Sequence, residues 1–323
     1  MSKDASPRRS ADDRLFRLGT GLFGVLVVLL VAGIAFELWR HSRLSIAKFG
    51  LGFWRGTTWD PVSGEFGALP FIWGTLYSSL LALLISAPIS LGIAVFLSEL
   101  SPRRLRTPLA FLTELLAAIP SIVYGLWGVV VLVPIVRRLE TAAPEWLRKT
   151  SLFSGPPLGV GMGTAAIILA VMVIPFTSSV AREVLKAVPA TQREAAYALG
   201  ATRWEAIQAA LRYGRSGILG AIILGLGRAI GETMAVTMVI GNNPQVSWSL
   251  FKPQYTMAAV LANEFTEAAD DLYLNALFEI GLVLFGITLI INGLSRLLIW
   301  SVTREVKARE PKAAAAVADE AAA

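Results

Sequence analysis

The stretch ILGAIILGLGRAIGETMAVTMVI, residues 218–240, is apolar over most of its length yet carries Arg228 and Glu232 near its middle. Its 23 residues exceed the roughly 20 that an α-helix needs to cross the hydrocarbon core of a membrane. A charge at that depth costs at least about 2.5 kcal/mol, so each of the two side chains needs a partner or a polar surrounding. The stretch therefore predicts a membrane-spanning helix with a charged pair inside it.

Six apolar runs of this kind divide the chain. Hydrophobic residues make up 55% of the sequence and charged residues 16%, against about 45–50% and about 25% in soluble domains. The runs are 16–39, 70–97, 109–136, 159–181, 218–240 and 274–300. Composition and runs together predict an all-α integral membrane protein with six transmembrane helices. The first run exceeds the apolar core of a signal peptide, about 7–15 residues, so we expect it to remain as the first helix.

Lysine and arginine are distributed unevenly among the segments that connect these runs. With the N-terminus inside, the inner segments hold 19 of the 29 basic residues and the outer segments hold 9. This excess predicts a multi-pass protein of the cell inner (plasma) membrane with both termini in the cytoplasm. The basic residues that orient the protein in membrane lipid also account for the net charge of +6. We therefore expect no nucleic-acid partner.

The runs also set the domain boundaries. Residues 15–69 are expected to hold the first transmembrane helix and a periplasmic segment, and residues 70–301 the main transmembrane domain. The polar or alanine-rich ends, 1–14 and 302–323, are predicted to be disordered cytoplasmic tails. With no cysteine and a single histidine, His41, the sequence excludes thiol chemistry and predicts neither a metal nor a cofactor.

The inner segment 182–217 is unusually long and strongly helix-forming. A helix stop is predicted at Val188-Pro189, and helix starts at Thr191 and Thr202 are each followed three residues later by a glutamate, the spacing of a capping box. Gly200 occupies the position of a glycine that ends a helix. Such features are unusual in a plain linker, so the segment predicts two short helices that dock a cytoplasmic partner.

Within this segment, EAAYALGATRWEAI, residues 194–207, resembles the EAA loop of ABC importer permeases. Glu194, Ala195, Ala196 and Gly200 match the first half of that motif, whereas Ala210, Arg212 and Tyr213 stand where the family has Ile, Leu and Pro. The resemblance implies the type I ABC importer permease fold. It also implies that the four matching residues couple the membrane helices to an ATP-binding subunit.

Two further motifs are similar to those of the phosphate permease subunits of this family. They are AAIPSIVYGLWG, residues 117–128, and GLGRAIGETMAV, residues 225–236. The resemblance extends over about residues 67–301 and implies a permease subunit for inorganic phosphate. The partners that it implies are a PstA-like permease subunit, a dimer of ATP-binding subunits and an external phosphate-binding protein.

The chain itself lacks a nucleotide-binding motif. No G-x-x-x-x-G-K-[ST] sequence occurs, and the glycine-rich GVGMGT at 159–164 has no lysine. Moving a phosphate dianion into a cell against about 100 mV costs near 5 kcal/mol, at about 2.3 kcal/mol per charge. We therefore expect a transport subunit rather than an enzyme, with ATP hydrolysis on a partner chain.

The charged pair allows two interpretations. At 100° per residue, Arg228 and Glu232 lie one turn apart on the same helix face and can form an ion pair, with the small residues Ala221, Gly225 and Ala235 beside them. One interpretation is a structural ion pair that orients the fifth helix. In the other, Arg228 belongs to the substrate pathway and binds the anion, while Glu232 neutralises the arginine when the path is empty.

Other charged and small residues in the helices are expected to be structural. Gly227 and Gly231 form a small-xxx-small step suited to close packing against another helix. Glu37 and Glu279 fall near the outer helix ends, and Glu99 and Glu114 fall near the arginines at 103–106, with which we expect them to pair.

Alternatives to a phosphate importer remain open on these residues. The nearest is an ABC permease for another oxyanion or for a phosphonate, because substrate choice depends on a binding protein. A different class is a secondary transporter or channel that uses Arg228 and Glu232 as a relay. Inverted repeats or a second broken helix would favour that class, and the sequence pattern indicates neither.

Overall fold

The computed structural model describes residues 11–322, with side chains described for residues 16–301 except residue 103. Helices and two short strands follow one another in this order: α1 (Ala11–His41), α2 (Arg43–Phe49), α3 (Gly52–Arg55), β1 (Trp59–Asp60), β2 (Glu65–Phe66), α4 (Leu69–Val95), α5 (Arg103–Ala117), α6 (Ser121–Trp127), α7 (Val133–Ala142), α8 (Glu145–Arg148), α9 (Met162–Ala187), α10 (Ala190–Ala198), α11 (Arg203–Tyr213), α12 (Arg215–Ile230), α13 (Met234–Thr237), α14 (Met257–Glu264) and α15 (Asp271–Ala322). Wider π-helical turns extend α4 over Phe96–Leu100 and join α6 to α7 over Gly128–Leu132.

Five helical segments are long and apolar enough to cross a membrane. They are Phe16–His41, Leu69–Leu100, Ser121–Ala142, Met162–Ala187 and Asp271–Ser301. Each overlaps one of the predicted runs, and α1 leaves its large apolar side chains exposed, as a helix facing lipid does. The predicted all-α membrane architecture is confirmed, although the count of six uninterrupted helices is not.

The predicted fifth transmembrane helix is interrupted. α12 ends at Ile230, and only the four-residue α13 follows after Gly231–Thr233. The chain still runs the length of the bundle, because Gly214 lies against Val184 at one end and the carbonyl of Val239 accepts a hydrogen bond from Gly161 at the other. An uninterrupted helix over 218–240 is therefore wrong. Glycine weakens the helix here, and the Glu232 carboxylate bonds a backbone N–H beyond the break.

The third predicted helix, 109–136, is also divided. α5 ends at Ala117, and α6 begins at Ser121 with Pro120 immediately before it. Proline lacks a backbone N–H and disfavours helical geometry in the residue that precedes it, so the helix stops there. The membrane-crossing segment consequently starts at Ser121 and continues through α7 to Ala142.

The bundle has two different ends. The loop end comprises α5, α10 and α11, and the hairpin end comprises α2, α3, α14 and the antiparallel pair β1–β2. α4 and α9 both run from the hairpin end to the loop end and pack along each other, with the hydroxyl of Ser90 donating to the carbonyl of Ile174 at 3.2 Å. Buried small residues on both helices, including Ser86 and Ser178, allow this close approach.

The helices of the 182–217 segment agree with their local sequence signals. α9 ends at Ala187, before Val188-Pro189, and Gly200 adopts φ +82° after α10. Thr202 and Glu205 form the predicted capping box at the start of α11. The capping box predicted at Thr191 is wrong, because α10 already begins at Ala190, directly after Pro189, whose fixed φ favours a helix start.

The tails predicted at 1–14 and 302–323 stay a prediction, because the structure describes them only in part. Residues 1–10 lie outside the described residues, and α1 begins at Ala11. α15 continues through 302–322, where a disordered tail is predicted. Its last part is rich in alanine, the residue with the highest helix propensity, which favours continuation of the helix.

Candidate functional site

Arg228 lies in the last turn of α12, next to the interrupted part of the fifth crossing. Its guanidinium carbon is 5.6 Å from the ring centroid of Phe176 on α9, within the range of a cation–π contact. Its Nε is buried, and no hydrogen-bond partner for it occurs among the described residues. A guanidinium in this position has donor capacity left for a ligand or for another chain.

The predicted ion pair between Arg228 and Glu232 does not form among the residues whose side chains are described. Glu232 follows the end of α12, and its Oε1 accepts a hydrogen bond from the backbone N–H of Ala235 at 3.2 Å. The i,i+4 geometry requires a continuous helix, and the break at Gly231–Thr233 removes it. Glu232 instead stabilises the start of α13, and Arg228 is left without an ion-pair partner among the described residues.

The small residues near Arg228 do not all have the same surroundings. Gly225 faces Thr177 of α9 so closely that a Cβ atom would collide with its hydroxyl oxygen, whereas no atom lies within 4 Å of a Cβ placed on Gly227. Ala221 and Ala235, predicted on the arginine face, are buried inside the chain. The Gly227 face of α12 is thus unpacked within this chain, and the Gly225 face is closely packed against α9.

The four residues that match the EAA motif lie on the surface of the loop end. Glu194 and Ala195 are exposed on α10, Ala196 is half-buried, and Gly200 lies in the turn between α10 and α11. Beside them, Leu199 is 90% exposed, and Tyr197 and Trp204 are also exposed. Large apolar side chains gathered on a polar surface are typical of a protein–protein contact.

Ion pairs fix residues 182–217, the docking segment, to the membrane helices. Arg193 of α10 donates to both carboxylate oxygens of Glu99, at 2.6 and 3.2 Å. Arg182 of α9 pairs with Glu114 of α5 at 3.3 Å and with Glu183 at 2.7 Å. The predicted pairing of Glu99 and Glu114 with the arginines at 103–106 is therefore corrected. Sequence reasoning favoured close neighbours, whereas the true partners are 94 and 68 residues away.

Glu37 and Glu279, both predicted near outer helix ends, occupy different environments. Glu37 forms an ion pair with Arg40 at 3.5 Å and lies 3.4 Å from Nε2 of His41 at the end of α1. Glu279 of α15 is buried, with one carboxylate oxygen lacking a hydrogen-bond partner among the described residues. Ser45 of α2 is buried as well, and α2 packs on α15.

The hairpin end is held by aromatic packing and hydrogen bonds. Trp59 of β1 and Tyr273 of α15 both donate to Oε2 of Glu264, at 2.8 and 2.7 Å. In the loop that follows α13, the carbonyls of residues 247 and 248 accept hydrogen bonds from Trp73 and Tyr77 of α4. The first two contacts hold β1 and α15 to α14, and the other two attach the loop after α13 to α4.

Comparison with known proteins gives consistent matches. Residues 87–303 match the model of the family described as "Binding-protein-dependent transport system inner membrane component". The phosphate transport system permease protein PstC of Mesorhizobium japonicum is 44% identical over 310 residues, which cover 93% of this chain and 94% of the relative. PstC of Pasteurella multocida is 46% identical over 297 residues, covering 90% and 92%.

A solved structure supports the fold independently of close sequence similarity. The inward-facing MetNI methionine ABC transporter aligns with a TM-score of 0.54 at 18% identity. The alignment covers 72% of this chain and 94% of the MetNI chain. At this identity the likeness concerns the arrangement of helices alone, and it agrees with the type I importer permease fold predicted from the sequence.

Proposed function

This chain belongs to the family of binding-protein-dependent transport system inner membrane components, and from that premise we propose that it imports inorganic phosphate as the permease subunit of an ATP-driven transporter. The observation that carries the proposal is the 44–46% identity, over about nine tenths of the chain, to relatives named phosphate transport system permease protein PstC. The membrane-spanning helices agree with a multi-pass permease.

Arg228 is our candidate for the anion contact in the substrate pathway. Its planar fork of N–H donors suits phosphate oxygens, and its half-buried side chain forms no ion pair among the described residues. Glu232 lies within the break, where it stabilises the start of α13 rather than neutralising Arg228. We propose that Glu232 serves the pathway by holding the broken crossing in shape beside the arginine.

Glu194, Ala195, Ala196 and Gly200 are our candidates for coupling to the ATP-binding subunits. They lie on the exposed surface of the loop end with Leu199 and Trp204 beside them. Import of a dianion into a negative cell interior needs energy from outside this chain, near 5 kcal/mol at about 100 mV. A dimer of ATPase subunits docked on this surface would supply it, with the loop end and both termini in the cytoplasm.

Two further partners complete the proposed assembly. A PstA-like second permease subunit would form the other half of the pathway, and Gly227 offers it an unpacked face of α12. A phosphate-binding protein would deliver substrate at the hairpin end. The identity of that binding protein decides between phosphate and a related oxyanion or phosphonate.

Reconstitution tests the proposed function directly. The chain, purified with its membrane and ATPase partners and incorporated into liposomes with the binding protein, is expected to import ³²P-labelled phosphate only when ATP is present on the loop side. Phosphate flux through the chain alone, without ATP, would show a secondary transporter or channel instead. ATP-driven uptake of phosphonate in preference to phosphate would assign the other substrate.

A further inference from the structure

Arg193 connects the docking helix α10 to two membrane helices at once. Besides its two hydrogen bonds to the carboxylate of Glu99, it donates to the backbone carbonyls of Leu185 and Val188 at 2.9 Å each. Those carbonyls lie at the C-terminal end of α9, where helix carbonyls lack intrahelical partners and favour a cation. The guanidinium therefore joins α10 to α9 and to the end of α4.

The turn that carries Glu99 is held by both docking helices. Glu99 belongs to the π-helical turn Phe96–Leu100 that ends α4. While Arg193 of α10 bonds its side chain, Arg203 at the start of α11 donates to its backbone carbonyl at 2.7 Å. Single π-helical turns within α-helices frequently occur at functional positions. The end of α4 is thus attached to the docking segment through side chains, although no short peptide connection joins them.

The Arg193–Glu99 pair is geometrically suited to transmit force. Its side chains are only 22% and 13% exposed, and both carboxylate oxygens are engaged. A two-point contact of this kind fixes direction as well as distance, and partial burial reduces competition from water and salt. By contrast, the pair formed by Lys149 and Glu145 on α8 is largely exposed and has a single contact at 3.7 Å.

α4 carries any such movement to the opposite end of the bundle. It is a helix of 27 residues, about 40 Å long at about 1.5 Å per residue. Near its start, the hydroxyl oxygen of Thr75 accepts a hydrogen bond from the backbone N–H of Met257 at 2.9 Å, and Gly74 lies directly against the carbonyl of Tyr255. Displacement of the Glu99 turn would therefore reach α14 at the hairpin end.

We propose that the Arg193–Glu99 pair is the link that moves α4 together with α9 when an ATPase subunit displaces α10. This inference rests on the proposed function and adds the route by which the docking surface acts on the membrane helices. The covalent connection at Val188-Pro189 reaches α9 alone. Without the ion pair, α4 would keep only the Arg203 contact to the Glu99 carbonyl and its packing on α9, and it would follow α10 less directly.

The test compares ATP consumption with transport in the complete transporter. Arg193→Gln and Glu99→Gln are each incorporated into liposomes with all partners, and ATP hydrolysis and ³²P-phosphate uptake are measured in the same sample. We expect the number of ATP molecules hydrolysed per phosphate imported to rise about tenfold or more, with the ATPase still bound. Arg193→Lys, which keeps the charge but loses the two-point contact, should give an intermediate ratio.

Lys149→Gln is the matched control, because it also removes one partner of an ion pair, but an exposed pair outside the docking segment. It should leave the ratio at the wild-type value. If uptake and hydrolysis fall in parallel in the Arg193 variants, so that the ratio is unchanged, the pair only supports the fold and the inference is overturned. Absence of ATP-driven uptake in the wild-type transporter would instead reject the proposed function.

A distance measurement covers the case in which the variants fail to assemble. Since the chain has no cysteine, Gln192→Cys on α10 and Phe96→Cys on α4 provide two unique exposed sites for spin labels. In the otherwise unchanged transporter, the distance between the labels should stay constant between the nucleotide-free and ATP-bound states. A change in that distance would mean that α10 moves independently of α4, contrary to the proposal.

Discussion

Arg193 and Arg228 are both arginines at helix ends, yet their surroundings are opposite. Arg193 has four hydrogen bonds, to a carboxylate and to two carbonyls of α9. Arg228 has a phenylalanine ring beside it, and its buried Nε has no partner within the described part of the chain. Leaving a buried donor unsatisfied destabilises a protein, so retention of Arg228 needs an explanation outside the fold of this single chain.

The difference separates two uses of the same side chain. An arginine that uses four of its five N–H donors within the chain fixes helices relative to one another and has little donor capacity left for a ligand. An unsaturated arginine beside a broken membrane crossing retains donors that an anion or a second subunit can use. The comparison predicts that substitution at Arg228 acts on substrate transport itself, whereas substitutions in the docking segment act on how transport is driven.

The largest effect is expected for Arg228→Gln. Loss of a charged donor to an anion is worth up to about 3 kcal/mol, so phosphate uptake should fall by about 100-fold. Assembly with the partner permease and the ATPase should survive, because no ion pair within the described residues depends on this arginine. Uptake in liposomes and co-purification of the partners provide the two measurements. Loss of the partners on purification would make Arg228 a structural residue.

Gly200→Val should have the next largest effect. Gly200 adopts φ +82°, a conformation that costs a β-branched residue roughly 1–2 kcal/mol, so the turn between α10 and α11 should distort. Either ATPase binding or ATP-driven uptake should fall about tenfold, as measured by co-purification and by transport. Gly200→Asn is the control, because asparagine tolerates this conformation and the space around the residue is open. Normal transport by the valine variant would remove this turn from the docking surface.

A smaller effect separates the two faces of α12 beside Arg228. Gly225→Ala places a methyl group against Thr177, and such overpacking should lower the free energy of unfolding by about 1–3 kcal/mol. Gly227→Ala meets open space in this chain and should leave its stability unchanged or slightly higher. Thermal unfolding of the isolated chain in detergent compares the two. Equal melting temperatures would show that α12 is not packed on α9 as described.

The smallest effect concerns the capping box that begins α11. Hydrogen bonds from the backbone N–H and the hydroxyl of Thr202 lower the pKa of Glu205 below its usual value. The ionised carboxylate therefore stabilises the start of α11 at pH values above the usual pKa of glutamate. This contribution is lost as the pH falls through the lowered pKa. Hydrogen exchange at residues 203–207, corrected for intrinsic rates, should be faster at pH 3 than at pH 7. Glu205→Gln, which removes the ionisable group, should abolish this difference.

Sequence signals predicted the docking segment more accurately than the region around Arg228. The turn at Gly200 and the box formed by Thr202 and Glu205 depend on residues within four positions of one another, so local chemistry decides them. Hydropathy also predicted that residues 218–240 traverse the bundle. It could not predict the break after Ile230, because the break depends on where Glu232 finds a hydrogen-bond donor.

Ion pairs between residues far apart in the sequence are the other contacts that sequence signals do not reveal. Glu99 has arginines within a few positions of it, and sequence proximity favoured those as partners. The folded chain instead places Arg193 beside it, since α4 and α9 end together at the loop end and α10 follows α9 at once. No property of the two residues alone distinguishes this partner. The prediction requires knowledge of which helices are neighbours.

The interruption at Gly231–Thr233 has a mechanical consequence. To bend a continuous membrane helix, backbone hydrogen bonds must be broken in hydrocarbon, where each unsatisfied group costs several kcal/mol. At this position the cost has already been reduced, because the Glu232 side chain replaces a backbone acceptor for Ala235. We therefore expect the chain to bend at Gly231–Thr233, so that α12 and α13 change their relative angle while each stays helical. Arg228 lies less than one helical turn from this hinge.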